Sequence, residues 1–273
     1  MDFIEILKVI VLGIVEGITE WLPISSTGHM LLVDEFICMN VSDGFKKMFF
    51  VVIQLGAILA VVIMFWNKMW PFQTKDKTKP VIRKDVFSMW FKVIVACIPG
   101  AIVTLLFDDY IEAHLHTPTV IALALIVYGI AFIVIENWNK SRTPKIQSLE
   151  DISYKTAFII GLFQVLSIIP GTSRSGSTII GALTIGVSRV AAAEFTFFLA
   201  VPVMIGLSLI KIVKFGLTFT SVELMTLAIG CVVAFLVSVL VIKFLMSYIK
   251  KRDFKIFGWY RIVLGAIVLL YFM

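Results

Sequence analysis

Long apolar runs recur from one end of the chain to the other, separated by short polar stretches. Six of them, 47–66, 86–107, 118–138, 193–212, 222–245 and 257–273, approach the ~20 residues that a helix needs to cross a bilayer. The last is short, and is expected to thin the bilayer locally or to begin slightly earlier. Two further apolar stretches, 4–36 and 153–186, are interrupted. The first carries Glu16, Glu20, Pro23 and the run Ser25-Ser26-Thr27-Gly28-His29; the second carries Pro170, Gly171 and Thr172-Ser173-Arg174-Ser175-Gly176-Ser177. Proline breaks the helical ladder and glycine permits sharp turns. Irregular backbone at membrane depth persists only where protein or a wet cavity surrounds it. Both stretches are therefore expected to be re-entrant helix–loop–helix hairpins. The pattern predicts an all-α polytopic membrane protein of six transmembrane helices plus two such hairpins.

The two hairpins resemble each other at a constant offset of 148 (25 to 173): Gly13 matches Gly161, Ser25 matches Ser173, Gly28 matches Gly176, and Phe49-Phe50 match Phe197-Phe198. Glu16 falls on Gln164. Each unit is then one hairpin plus three spans, with repeat one at about 1–138 and repeat two at about 149–273. Three crossings invert the second unit, and the special site of an inverted-topology repeat is expected where the broken hairpins meet.

Composition narrows the class further. Hydrophobic residues make up 60% of the 273 positions and charged residues 15%, against about 25% charged in soluble domains. A soluble enzyme, a disordered chain and a DNA-binding domain are excluded. The net charge of +6 does not point to nucleic acid, because Lys and Arg concentrate in short loops. Those loops are about 67–85 (Lys68, Lys75, Lys77, Lys79, Arg83, Lys84), 139–152 (Lys140, Arg142, Lys145) and 246–256 (Lys250, Lys251, Arg252, Lys255). The stretch Asp108-Asp109-Tyr110-Ile111-Glu112 has no Lys or Arg, and the loop near Lys211 and Lys214 is only weakly basic. The positive-inside rule puts the three basic loops in the cytoplasm and both termini outside, with Trp66, Trp70, Trp138 and Trp259 near the cytoplasmic ends. No cleaved signal peptide is expected, since Asp2 and Glu5 stand where a basic segment would precede the apolar run. Cys38, Cys97 and Cys231 form no CxxC motif and read as packing residues.

Glu16 and Glu20 lie four apart, on one helical face. Two intramembrane carboxylates are costly unless paired, protonated, cation-bound or facing water. They suit general acid–base work, or oxygen ligation of Mg²⁺ or Ca²⁺. Ser25, Ser26, Thr27, Gly28 and His29 supply hydroxyls, an imidazole and the N–H groups of a new helix, which attract an anion. Ser173, Ser175 and Gly176 surround Arg174, whose fork suits phosphate oxygens and equally an ion pair with Glu16 or Glu20. Gln54 is positioned to bond a ligand or a neighbouring helix. Arg261 is expected to snorkel to the cytoplasmic surface, Arg189 and Glu194 to cap or pair, and His114 and His116 to face water. Together these residues suit a hydrolase or transferase acting on a lipid phosphate. A secondary transporter or flippase is the alternative that broken helices and inverted repeats also suit.

At these residues the chain resembles the undecaprenyl-diphosphatases of the bacitracin-resistance type. The resemblance rests on Glu16-Gly17-Ile18-Thr19-Glu20-Trp21-Leu22-Pro23-Ile24-Ser25-Ser26-Thr27-Gly28-His29 and on Pro170-Gly171-Thr172-Ser173-Arg174-Ser175-Gly176. Val51-Val52-Ile53-Gln54-Leu55-Gly56 and Ala193-Glu194-Phe195 leading to Pro202 support it, so that it covers nearly the whole chain. It implies hydrolysis of undecaprenyl diphosphate to the monophosphate and phosphate, recycling of the bacterial cell-wall lipid carrier, and bacitracin resistance. It also implies a divalent cation, Mg²⁺ or Ca²⁺, and a site opening to the outer face of the plasma membrane. On that reading Glu16 and Glu20 are the metal ligands, and Ser26, His29 or an activated water is the nucleophile. Another lipid-phosphate phosphatase pattern requires His six residues after a Ser-Arg pair; Ile180 and Phe195 stand there instead. Oligomeric state is not legible in the sequence, although the short last span leaves room for a homodimer interface.

Overall fold

The fold was analysed in a computed structural model, which describes residues 2–73, 80–115 and 117–272. Lys75, Lys77, Lys79 and His116 lie outside them. The helices are α1 (Phe3–Thr19), α2 (Ser26–Ile37), α3 (Asp43–Val52), α4 (Gln54–Met64), α5 (Trp66–Met69), α6 (Lys84–His114), α7 (Pro118–Asn139), α8 (Tyr154–Val165), α9 (Arg174–Thr184), α10 (Arg189–Phe215), α11 (Ser221–Ile249) and α12 (Lys255–Phe272). Among the described residues, six segments are long and apolar enough to cross a membrane: α3–α4 taken together, α6, α7, α10, α11 and α12. They fall on the six runs the sequence indicates. The first is interrupted at Ile53, between α3 and α4. The acidic stretch after the second is not a loop, because α6 continues through it to His114.

The two interrupted stretches are helix pairs, α1–α2 and α8–α9, the second with a short 3₁₀ turn at Leu166–Ile168. The open ends of α1–α2 are tied together: Lys8 Nζ donates to the Cys38 carbonyl at 2.8 Å and the Asn40 N–H donates to Glu5 at 3.1 Å. Those of α8–α9 lie at the basic-loop end, where Gly186 O accepts from the Lys145 and Ile146 N–H groups. Each pair returns to the end it starts from, a geometry compatible with a re-entrant hairpin. The turns also share their local chemistry. Ser25 (φ 78°) and Ser173 (φ 72°) both adopt the left-handed backbone that costs a non-glycine residue energy. Each then caps the following helix, accepting from the N–H of Gly28 or Gly176 three residues on. The offset of 148 seen in the sequence thus joins two positions with one unusual conformation.

Packing crosses between the halves. α1 packs on α11 and α8 packs on α6, while α7 and α12 run side by side. Small residues permit the closest approaches: a Cβ on Gly56 would stand 2.1 Å from the Cys231 carbonyl oxygen, and one on Gly161 2.3 Å from that of Ala96. Among the described residues, Lys68 pairs with Glu194 at 2.7 Å and Arg189 with Glu136, at the basic end. Arg189 and Glu194 therefore pair as expected. Trp66, Trp70, Trp138 and Trp259 are all between 44% and 59% exposed, as an interfacial belt requires.

The Gly56 contact predicts an asymmetry between glycines. Gly56→Val should lower the unfolding temperature in detergent, at a cost of about 1–3 kcal/mol or more, because the obstacle is backbone. Gly44→Ala, whose Cβ would meet only Phe215 at 3.8 Å, should be neutral. Equal effects of the two would remove the close helix approach as a stability determinant.

Candidate active site

Between the two turns lies a cavity of about 420 Å³. Its polar lining includes Glu20, Ser26, Thr27, Gln54, Gln164 and Arg174. Pro202, Met204, Leu207 and Ile210 make an apolar flank. The cavity therefore offers charge and hydroxyls on one part of its wall and an aliphatic surface on another.

Glu20 is the hub. Its side chain is 6% exposed; one oxygen accepts from Arg174 Nη2 at 3.0 Å and the other from the Ser26 hydroxyl at 2.6 Å. Arg174 also donates through Nη1 to the Thr196 carbonyl at 3.0 Å, which fixes the guanidinium plane against α10. The Ser175 hydroxyl donates to the Glu20 carbonyl at 3.3 Å, and Ser173 and Ser175 hydroxyls lie 3.1 Å apart. Ser25, Gly28, Ser173 and Gly176 are taken up by capping and turn geometry, as described above. Thr27 is exposed at the cavity wall.

Five predicted residues, Glu16, Gly28, His29, Ser175 and Gly176, lie outside the cavity lining. His29 does not line the cavity. Its Nδ1 lies 2.7 Å from the Ser25 carbonyl, which can only accept, so Nδ1 carries the proton. Nε2 then accepts from the Tyr260 hydroxyl at 2.7 Å, and the two rings stack at 5.6 Å. Both imidazole nitrogens are engaged away from Ser26. Glu16 is 1% exposed, and neither of its oxygens has a hydrogen-bond donor. Two orphaned carboxylate oxygens one helical turn from Glu20 fit a divalent cation in donor chemistry. Among the described residues no group of three or more His, Cys, Asp or Glu gathers as ligands. Such a cation would rest on the two carboxylates and on oxygens brought by its ligand.

The structure corrects the expectation for Arg261. Rather than snorkelling to a surface it is fully buried. Its Nη1 donates to the Pro23 carbonyl at 3.1 Å, and Nη2 donates to the Gly171 and Thr172 carbonyls at 2.8 Å each. One guanidinium thus ties the turn of α1–α2 to the turn of α8–α9. The sequence did carry a signal, since a buried arginine needs acceptors and the two broken helices release carbonyls. Gln164, which the sequence marks only as the counterpart of Glu16, lines the cavity with an unpartnered Oε1. Glu136 lies inside an apolar run, where an intramembrane acid calls for a partner; it is 1% exposed and holds Arg189.

The all-helical bundle and the acid–hydroxyl–guanidinium site between two broken helices define an integral membrane protein built around a buried charged site. The chain belongs to the family described as bacitracin resistance protein BacA, whose family model matches residues 9–267. It is 75% identical over 270 residues to a protein of Enterococcus faecalis named undecaprenyl-diphosphatase, covering 99% of this chain and 98% of that one. Proteins of the same name from Lachnoclostridium phytofermentans and Desulfitobacterium hafniense are 63% and 62% identical over 273 residues; each match covers 100% of this chain and 99% or 98% of theirs.

If Arg261 joins the two turns, Arg261→Met should loosen both. Three buried carbonyls would lose their donor, at about 1–3 kcal/mol each. Hydrogen exchange should quicken together around residues 20–28 and 169–176. Loosening of one turn alone would refute the bridge.

Proposed function

We propose that the protein hydrolyses undecaprenyl diphosphate to undecaprenyl phosphate and inorganic phosphate, recycling the cell-wall lipid carrier and conferring bacitracin resistance. The observation that carries this reading is the Ser26–Glu20–Arg174 contact at the wall of a half-apolar cavity. Relatives named for this activity, aligned along essentially the whole chain, support it. The transporter or flippase alternative has no comparable support: a hydroxyl hydrogen-bonded to a carboxylate beside a fixed guanidinium is an arrangement for bond cleavage rather than for passage.

In the mechanism, Arg174 and the Ser25–Gly28 turn hold the diphosphate, and the prenyl chain lies along the aliphatic flank near Leu207 and Ile210. The Ser26 hydroxyl attacks the terminal phosphorus while passing its proton to Glu20, and undecaprenyl phosphate departs with the electrons of the broken P–O bond. Glu20 passes that proton to the departing undecaprenyl phosphate; water then attacks the phosphoserine, giving a proton to the freed Glu20 carboxylate, and phosphate is released as Ser26 regains its hydrogen from Glu20. Glu20 is favoured over His29 as the base because it receives the Ser26 hydrogen bond directly. His29 positions Ser25 through its carbonyl and is braced by Tyr260. A divalent cation, Mg²⁺ or Ca²⁺, would be held by Glu16 and Glu20 and supplies neutralisation of diphosphate charge when bound. Thr27, Gln54 and Ser173, which line the cavity, complete the substrate cradle, and Ser175 and Gly176 hold the turn behind Arg174.

The charge distribution supports an arrangement in the bacterial plasma membrane with basic loops inside, both termini outside and the site opening outward. The two broken hairpins and the exchanged packing of the halves support an inverted repeat. The exposed face of α12 (Val263, Ile267, Leu270) is available to a second copy.

Purified protein in detergent should release phosphate from undecaprenyl diphosphate with Mg²⁺ or Ca²⁺ and stop with chelator. Arg174→Ala, Glu20→Gln and Ser26→Ala should each lower kcat by about 10²-fold or more. Ser26→Ala retaining most of the rate while Glu20→Gln is dead would replace serine attack with attack by water. No release from folded wild-type protein would overturn the hydrolase reading. Cysteines placed at residues 2 and 141 should be labelled by an impermeant reagent from outside and from inside respectively; the reverse would invert the orientation.

A further inference from the structure

A second and larger cavity, about 980 Å³, lies at the basic end of the bundle. It is far from the Glu20 site. Gly171 packs beside Ile121 on α7, whereas this cavity meets α7 at Glu136 and Asn139. At the helical rise of about 1.5 Å per residue, the two levels are separated by roughly 25 Å.

Its charge is one-sided. Among the described residues, six cations line it, Lys140, Arg142, Lys145, Arg189, Lys250 and Lys255, against two acids, Glu136 and Asp253. Both acids are already used. Glu136 is 1% exposed and accepts from Arg189 Nε at 2.9 Å, from Arg189 Nη2 at 2.5 Å and from the Phe254 N–H at 3.0 Å. Asp253 pairs with Lys255 at 3.5 Å. No acid among the described residues pairs with Lys140, Arg142, Lys145 or Lys250. The α10 N-terminus also opens here, with Ser188 capping only the Ala191 N–H.

These cations do not sit on a loose loop. The Lys145 and Ile146 N–H groups donate to Gly186 O, Ser188 N–H donates to Ile146 O, and the Asn139 side-chain amide donates to Leu183 O at 3.0 Å. The segment after α7 is therefore docked on the α9–α10 connection, and the walls are fixed before anything binds. Arg142 lies 3.6 Å over the ring of Trp138, which is 44% exposed at the rim. Lys140, Arg142, Lys145 and Lys250 are solvent-exposed and face one cleft, whose positive potential raises the local concentration of anions.

We propose that this cavity is a second anion site that takes a phosphate group, carried either by the headgroup of an anionic lipid or by free inorganic phosphate. Basic pockets between helices at the cytoplasmic side hold lipid phosphates by the same chemistry. The site is independent of the hydrolase reading, since none of its residues lines the Glu20 cavity.

The test is ligand-dependent thermal stabilisation of the full-length protein in neutral detergent. One arm titrates sodium phosphate against sodium chloride at matched ionic strength. The other titrates phosphatidylglycerol against phosphatidylcholine in the micelles. Each is run on wild type, on Arg174→Ala to silence phosphate binding at the Glu20 site, on a Lys140→Gln/Lys145→Gln/Lys250→Gln variant, and on the matching triple Lys→Arg variant. Wild type and Arg174→Ala should be stabilised in at least one arm. The triple Gln variant should bind at least tenfold more weakly, and the triple Arg variant should bind as wild type. Phosphatidylglycerol acting alone identifies the lipid headgroup as the source, and sodium phosphate acting alone identifies the free ion. Hydrolysis should be unchanged in the triple Gln variant. Stabilisation in neither arm, or stabilisation that survives in the triple Gln variant, overturns the proposal.

Discussion

Breaking two helices inside an apolar bundle strands carbonyl oxygens where neither water nor a helical N–H can reach them, and one guanidinium collects three of these. Arg261 takes Pro23 O from one turn and Gly171 O and Thr172 O from the other. The rest of the site follows from this closure. With the turns held side by side, Glu20 from one and Arg174 from the other come to 3.0 Å, and Ser26 reaches Glu20 at 2.6 Å. The left-handed backbone at Ser25 and Ser173 is affordable because each seryl side chain caps the helix it begins. No acid is spent on Arg261. Its charge is solvated by carbonyl dipoles, which leaves both carboxylates of α1 and its following turn for chemistry.

The buried charges divide by the partners they have. Arg261 is satisfied by backbone and Glu136 by Arg189, so both act as fasteners. Glu20 and Arg174 pair at a cavity wall, where Arg174 Nε still lacks an acceptor and a diphosphate could compete for the guanidinium. Glu16 has no donor at all. A carboxylate buried without a partner is expensive and persists only where something else offsets it. The unsatisfied Gln164 Oε1, at the matching position in the other half, has the same character without the charge. Among the described residues, Gln164 and Arg174 carry unmet polar atoms at the cavity itself, whereas those of Trp21 and Asp34 lie outside its lining.

Much of this was legible in the sequence. Six apolar runs have the length of a bilayer crossing, and each became a span. The two interrupted stretches announced broken helices through Pro23, Pro170 and the adjoining hydroxyls. The i, i+4 spacing placed Glu16 and Glu20 on one face. Spacing says nothing, however, about what lies across a bundle, and the misses share that cause. Arg261 stands at the level of the two turns, which its place near a chain end does not reveal. His29 follows Ser26 by three residues, yet the turn of α2 directs it to Tyr260. The interruption at Ile53 carries no proline or glycine at that position, and the run from 47 to 66 reads as one helix. Glu136 needs a partner inside an apolar run, and nothing in the spacing points to Arg189, fifty-three residues on.

The exchange of partners between the halves bears on how the chain is made. α1 packs against α11, whose last residue is synthesised some 230 residues after α1 is complete (Thr19 to Ile249). At about 5–20 residues per second this is an interval on the order of 10–50 s. Throughout it the first hairpin, with two carboxylates and an open turn, must wait in or beside the bilayer without the surface that closes over it. Arg261 arrives later still. The protein therefore has a vulnerable nascent stage. Insertion machinery or neighbouring nascent helices must shelter Glu16 and Glu20 until the final two spans enter.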